Sequence, residues 1–433
     1  MKTIINMTIA TCLLPIAFNA SANSPVEKEP EVELTHWWNH PGEISALNEI
    51  KKAVEARDGK FVDTKVASWD KLRSSVINRL TMGYPPAITQ WLGSNEGLGL
   101  NGIKAVYSAP AKWRGKSLKD TLFEEVFDSM VDGDKLISLP LGIHIQNSAL
   151  YNAAIYKELD LPLPASWEMF LEQAKVIKAA GYVPIALSNE VWQLYMVFNT
   201  ILLDQIGLQD HLKLYKEDQS MEKWRAPLEA SFNVLLKLKQ FADEGHKARS
   251  WNNAIEMVGN KEAAMNIMGD FAKGELTAMG LEAGKDFLCA LSPGSRGAML
   301  YVVDGFLMLN VEEDYLRKGQ SILIDAVLDP TVQAAYNSKK GSIPVIKKGV
   351  DVTQLDSCSR KIYNNWITKG KGQGKGETAH GTGNQLRASF FEAVIGDAWN
   401  TENPSAEKLA DQLISMVELD LNSSKRAEAK TGM

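Results

Sequence analysis

Between residues 31 and 91 the chain alternates in a way that few folds can accept. Glu31-Val32-Glu33-Leu34-Thr35 switches polarity with period two and reads as a strand. Pro41-Gly42-Glu43 then opens a helical pattern, with Ile44, Leu47, Ile50 and Val54 on one face and Gly59 as its stop. Phe61 to Ala67 is a second strand. Trp69 to Met82 is a second helix, with Leu72, Val76 and Leu80 inward. Tyr84-Pro85-Pro86 breaks it, and Ala87 to Trp91 is a third strand. Strand-helix-strand-helix-strand predicts a parallel sheet with right-handed crossovers, so the fold class is α/β.

Further along, Leu136 to Tyr151 is an extended apolar run, too long for one ordinary strand, and suited to crossing from one lobe to another. A helix near 166–180 has Ser166 at its N-cap and Gly181 at its end. A strand at 182–187 follows, then helices at 191–207, 225–243 and 252–263, a strand at 264–268, and helical residues from Phe271. Strands near 287–291 and 299–309 lead into helices near 311–327 and 331–338. A helix at about 405–420 precedes a polar tail, 422–433, expected to fray. Lys369-Gly370-Lys371-Gly372-Gln373-Gly374-Lys375-Gly376 lacks the Gly-Lys-Ser/Thr ending of a phosphate loop and reads as a flexible surface loop.

The first 22 residues read as a leader. Lys2 precedes an apolar stretch from Ile4 to Phe18, and Ala20-Ser21-Ala22 supplies the small residues of a cleavage site. Ile9-Ala10-Thr11 is a poor approach to lipidation at Cys12, so a released periplasmic protein is expected. No later apolar run approaches the roughly 20 residues that span a bilayer. The formal charge of -6 becomes -7 without Lys2, and no long basic stretch appears, which argues against nucleic acid as a partner. Two cysteines, Cys289 and Cys358, remain after cleavage. Export permits a disulfide between them, and two separate buried thiols remain the alternative.

Several chemistries are missing. The chain has no H-E-x-x-H, C-x-x-C or G-x-S-x-G motif. Its six histidines (36, 40, 144, 211, 246, 380) show one close pair, His36 and His40, which flanks a strand end before Pro41 rather than lying on a helix. Glu124-Glu125 and Glu312-Glu313 read as solvated helix faces. No catalytic residue, metal site or cofactor is assigned. An exported carbohydrate-active enzyme stays open as a rival, because glycosidase carboxylates can lie far apart in sequence.

Tryptophan is the unusual residue: there are eleven. Trp37 and Trp38 sit at the C-terminal end of the first strand and Trp91 at that of the third, where open parallel sheets bind ligands. Strand alternation sends Trp37 and Trp38 to opposite faces, so one can be core while the other lines a cleft. A pyranose offers C–H surface to an aromatic face, while its hydroxyls need directional donors and acceptors. Glu43, Asp304, Lys340 and His380 supply such groups at loop-like positions.

These residues, with six motifs, resemble the solute-binding proteins of bacterial ABC sugar importers, extracellular family 1, and within it the glucose-type monosaccharide binders. The motifs are Trp37-Trp38 with Glu43; Leu139-Pro140 to Tyr151; Pro164-Ala165-Ser166-Trp167; Ala264 to Phe271 (AMNIMGDF); Val303-Asp304-Gly305-Phe306; and Lys340-Gly341-Ser342-Ile343-Pro344. The resemblance spans roughly Val32 to Val417. It implies a periplasmic binding protein fold of two α/β lobes, joined by a hinge, with the ligand in the interlobe cleft. It also implies delivery of a sugar such as glucose to an ABC permease by a monomer without catalysis. The chain divides accordingly into a leader (1–22), lobe 1 (23–142 plus 300–328) and lobe 2 (143–299 plus 329–433). The pattern places ligand contacts at Trp37, Trp38, Glu43, His144, Asp304, Lys340 and His380. Two departures stand out: Phe271 replaces the family's Trp after Met-Gly-Asp, and Gln90-Trp91 stands where relatives carry a polar or basic group. Phe271 keeps a stacking face, and Trp91 is taken as a second sugar-facing wall. Both changes leave a disaccharide open as ligand, and a chemosensory receptor is an alternative partner.

Overall fold

The computed structural model describes residues 28–92, 106, 107, 109–216, 219–370, 373–378 and 385–431. The leader with Cys12, and also His380, lie outside these.

The N-terminal half begins with β1 (Glu31–His36), α1 (Pro41–Glu55), β2 (Lys60–Lys65), α2 (Trp69–Thr81) and β3 (Ile88–Leu92). β1 lies between β2 and β3 and pairs with both in parallel, as the alternating pattern requires. Pro41 starts α1 where its missing N–H is no loss. The Glu43 carboxylate accepts from the N–H groups of Asn39 and His40, which closes the first turn. Ser68 caps α2, its hydroxyl accepting from the Lys71 N–H.

The long apolar run resolves into two strands, β4 (Ser138–Ile145) and β5 (Ser148–Asn152), each in a different sheet. β4 joins the first sheet, antiparallel to β9 (Met299–Met308), and β9 in turn runs antiparallel to β3. β5 is central to the second sheet, between β7 (Ala263–Met268) and β8 (Phe287–Leu291), with β6 (Val183–Ile185) at one edge. Each sheet has its own core. Val32, Leu34, Ile50, Leu141, Ile143, Val303 and Phe306 belong to the first. Tyr151, Phe170, Phe198, Phe232, Ile267 and Phe391 belong to the second. Helices α3 (Trp167–Ala179), α4 (Val191–Lys216), α5 (Arg225–Lys239), α11 (Gln385–Asn400) and α12 (Ala406–Thr431) build most of lobe 2. Ser166 caps α3 as expected, accepting from Met169 N–H at 3.1 Å. α4 is interrupted at Gly207, whose φ of 73° ends the first helical stretch.

Helices α6 (Trp251–Gly259) and α7 (Ala272–Ala278) cover the other face of the second sheet. Helices α8 (Asp314–Val327), α9 (Pro330–Lys340) and α10 (Ser357–Thr368) lie between β9 and β10 (Lys375–Glu377). The side chains of Tyr336, Ile343, Val345, Tyr363 and Trp366 pack in the first core, so this stretch extends lobe 1 beyond the boundary at 328 drawn from sequence. Helix packing causes this: α9 docks on α1, and Tyr363 and Trp366 set their rings edge-on to Phe123. The Gly/Lys run also differs from a free loop. Lys375 starts β10, parallel to β9, and its buried ammonium pairs with Glu125 at 2.5 Å and lies 4.5 Å above the Trp366 ring. Glu125 is therefore buried rather than solvated. α12 continues helically to Thr431 where fraying from 422 was expected, in keeping with the strong helix formers between Lys425 and Lys430.

The chain crosses between lobes at Gln146-Asn147, so Ile143 to Ile145 belong to lobe 1 and not to lobe 2 as the boundary at 142 drawn from sequence has it. It crosses again at Ser292 to Ala298, and a third passage falls between β10 in the first sheet and α11 in the second core. Asn147 ties the first two crossings together. Its buried amide donates to Ser295 Oγ and the Ala298 carbonyl, both at 3.0 Å, and its Oδ1 accepts from Leu300 N–H at 2.9 Å. A disulfide joins Cys289 on β8 to Cys358 on α10. It therefore links lobe 2 to a helix whose apolar face packs in lobe 1. Beside it, Lys273 of α7 pairs with Asp356 at 3.2 Å, and Ser357 Oγ donates to the Ala283 carbonyl at 2.7 Å.

Candidate ligand-binding site between the lobes

Helix α7 of lobe 2 packs against α1 and α9 of lobe 1, and the candidate residues collect along this seam. The approach is close because glycines line it. A Cβ on Gly42 would come within 2.6 Å of the Gly274 backbone, and one on Gly341 within 2.6 Å of the Asp270 carbonyl. Gly341 also has φ of 85°, which ends α9 directly after Lys340 and sets that side chain at the seam.

Lys340 is the centre of the group. Its ammonium lies 3.6 Å from Glu43 Oε1, 5.1 Å above the Trp38 ring and 5.5 Å above the Phe271 ring. An aromatic face from each lobe thus flanks one cation. Asp304 comes from β9, where the pairing with β4 slips between Asp304 and Gly305. One of its oxygens accepts from Gly305 N–H at 3.0 Å. The other lies 3.8 Å from His144 Nε2. Burial pushes the Asp304 carboxyl above its ordinary range, and His144 and Lys340 oppose that rise.

The structure brings together Trp38, Glu43, His144, Phe271, Asp304 and Lys340. It does not bring Trp37 and Trp91 to them. Trp91 is fully buried, 4.3 Å from Trp69, among Leu72, Val76 and Leu307, so it is a core side chain under α2 and not a wall of the cleft. Trp37 meets Trp69 edge-on at 5.1 Å in the same cluster. The period-two rule explains both: Trp37 and Trp91 point to the α2 face, while Trp38 turns the other way, toward Phe306 and Tyr336. Gln90, next to Trp91, faces Trp37 instead and accepts its backbone N–H at 3.1 Å.

Four further residues belong to the seam. Asp270 is buried against His144 and Ile145. Glu275 Oε1 accepts from the Gly42 N–H at 3.1 Å, across the lobes, with its carboxyl raised by burial. Tyr336 has a buried hydroxyl with no hydrogen-bond partner among the described residues, as does His144 Nε2. Trp251 packs edge-on to Phe271 at 5.4 Å and to His40 at 4.8 Å. Asp270 lies in the turn just past a strand end and within the Ala264 to Phe271 motif, and these are the signals in sequence that could have marked it. Chemically the seam is rich in acceptors, with four carboxylates against one lysine at its centre, and it is flanked by rings. It suits a neutral ligand with many hydroxyl donors better than an anion, which would need more cations.

Two α/β lobes, two tied crossings and a polar seam between them are the features of a two-lobe solute-binding protein. The chain belongs to the bacterial extracellular solute-binding protein family, which matches residues 65–303. A probable sugar-binding periplasmic protein of Mesorhizobium japonicum is 30% identical over 365 residues, covering 83% of this chain and 84% of that protein. One of the same description from Brucella suis is 30% identical over 423 residues, covering 95% and 97%. Among solved structures, the bacterial solute receptor AcbH, described as having an exclusive preference for β-D-galactopyranose, matches with a TM-score of 0.74 at 15% identity, over 90% of this chain and 99% of its own. Maltose-bound MalE3 of T. maritima matches with a TM-score of 0.70 at 12% identity, over 90% and 99%.

Proposed function

We propose that this chain is the periplasmic sugar-binding component of an ABC importer, holding a monosaccharide such as glucose between its lobes and delivering it to the membrane permease. The observation that carries the reading is the seam itself. Asp304, Glu43 and the free edge of His144 offer acceptors to hydroxyls, Lys340 offers a donor, and Trp38 and Phe271 offer ring faces. The sugar-binding descriptions of the Mesorhizobium and Brucella relatives support the class of ligand. In this reading the leader is cleaved after Ala22, the mature protein acts as a monomer, and His380 is a ligand contact.

A disaccharide is the second reading. Trp192 and Trp251 continue the aromatic wall beyond Phe271, at 6.4 and 5.4 Å from its ring, so a second sugar ring has a surface to lie on. A thermal-shift screen across monosaccharides and disaccharides separates the two. A ligand at about 100 times its dissociation constant adds roughly 2.7 kcal/mol of stability, a readily measured rise in Tm. Stabilisation by a hexose alone supports the first reading and by a disaccharide alone the second. No response to any sugar overturns both.

A further inference from the structure

Asp270 is completely buried in the turn between β7 and α7, and strand β4 of the other lobe fills its hydrogen bonds. Its backbone N–H donates to the Ile145 carbonyl at 2.9 Å. Its Oδ2 accepts from the Ile145 N–H at 3.0 Å, and its Oδ1 lies 2.7 Å from His144 Nδ1. A carboxylate offers only acceptors, so the proton in the second contact belongs to Nδ1. The ring is then oriented with Nε2 pointing away from Asp270. Nε2 is buried, has no partner among the described residues, and stands 3.8 Å from Asp304 Oδ2.

With its proton on Nδ1, a neutral imidazole presents Nε2 as an acceptor. An ionised Asp304 is also an acceptor, so the two atoms cannot satisfy each other, and Nε2, with no partner among the described residues, calls for a donor from elsewhere. Two adjacent hydroxyls of one ligand match this pair. The groups around it are Asp270 from the turn before α7, Asp304 from β9, the Phe271 ring edge-on at 5.7 Å, and Lys340 and Glu43, which act on Asp304 from α9 and α1.

We infer that Asp270 is a positioning residue. It fixes the His144 tautomer and so presents Nε2 beside Asp304 as a two-acceptor station for a pair of neighbouring ligand hydroxyls. The inference rests on the sugar reading above. It adds that closure of the lobes delivers this setting, because Asp270 comes from lobe 2 and His144 from lobe 1. A ligand lacking either hydroxyl leaves a buried acceptor unmet, and that is how the station discriminates.

The test reads the tautomer directly. Long-range proton–nitrogen NMR on the full mature protein, labelled with nitrogen-15 at pH 7.5, reports which ring nitrogen carries the proton, and His144→Gln identifies the signal among the histidines. The expected result is a protonated Nδ1 and a bare Nε2 in the wild type. Asp270→Asn, whose amide can donate to Nδ1, reverses the tautomer. The variant should bind the best sugar of the screen about 10- to 100-fold more weakly, and should lose most of the wild type's discrimination against deoxy analogues of that sugar. A protonated Nε2 in the wild type overturns the inference, and that measurement needs no variant to fold. So does an Asp270→Asn protein with unchanged tautomer and unchanged discrimination. If no sugar binds the wild type, the sugar reading falls, while the tautomer signal still decides what Asp270 does.

Discussion

Asp304 lies buried with its carboxyl held above the ordinary range by desolvation, so its charged form is carried at a loss. The sign follows from the raised value. The folded state keeps this proton to higher pH than the unfolded chain does, so Asp304 contributes no penalty below an ordinary carboxyl pKa, and stability is lost as pH rises through the folded value. Asp304→Asn should therefore be as stable as the wild type at pH 7, or more so, while binding sugar about 10- to 100-fold more weakly. Chemical denaturation and titration calorimetry on the same samples check the two halves. A variant that loses stability and keeps its affinity would remove Asp304 from the grip. Trp38 behaves differently. Its ring is buried against Phe306 and Tyr336, so Trp38→Ala should lower stability by about 3–5 kcal/mol as well as affinity. Trp38→Phe, which keeps a ring under Lys340, should separate the two effects in the same pair of measurements.

At the scale of elements, a buried ion pair adds to the strand pairing that holds β10 to the first lobe. Lys375 pairs with Glu125, donates to the Lys369 carbonyl at 3.0 Å and covers the Trp366 ring. Removing one member leaves the other charge buried and unpaired. Lys375→Met should lower unfolding free energy by about 3–5 kcal/mol in urea, and the double change with Glu125→Gln should recover much of it. The helix caps are a smaller matter. Ser166 satisfies one N–H at the start of α3, and Ser166→Ala should cost about 1 kcal/mol in the same assay, with no change in sugar affinity.

Across the whole molecule, the Cys289–Cys358 bond closes a loop with a sequence separation of 69 residues and joins the two lobes beside the crossing at Ser292. By the loop-entropy relation, removing it should lower stability by about 4 kcal/mol. Cys289→Ser with Cys358→Ser, compared with the oxidised wild type in guanidinium, checks this. Thiol labelling of the denatured, unreduced wild type should find no reactive cysteine in the mature chain. Cys289 packs in the cluster that holds Phe271 and Trp251, so a change in sugar affinity on breaking the bond would mean that it also supports the seam.

The order of elements was legible in the chain because it rests on local rules. Period-two and helical patterns, Ser166 as a cap and Pro41 at a helix start depend only on neighbours in sequence, and β1 to β3 with their helices appear where those patterns lie. The seam was half legible: Trp38, Glu43, His144, Phe271, Asp304 and Lys340 come together, and the motifs marked them. What sequence could not decide is contact between distant segments. Trp91 and Trp38 sit near the ends of neighbouring strands and both are buried, and only the placement of α2 puts Trp91 in a cluster away from the seam. Glu125 looks solvated until β10 arrives with Lys375. Asp270 lies within the Ala264 to Phe271 motif, but its role could not be read there, because that role exists only where lobe 2 meets β4 and leaves His144 Nε2 facing Asp304. Local preference selects an element in a few residues, whereas burial and charge pairing are fixed by partners tens or hundreds of residues away, and those partners meet only in the folded molecule.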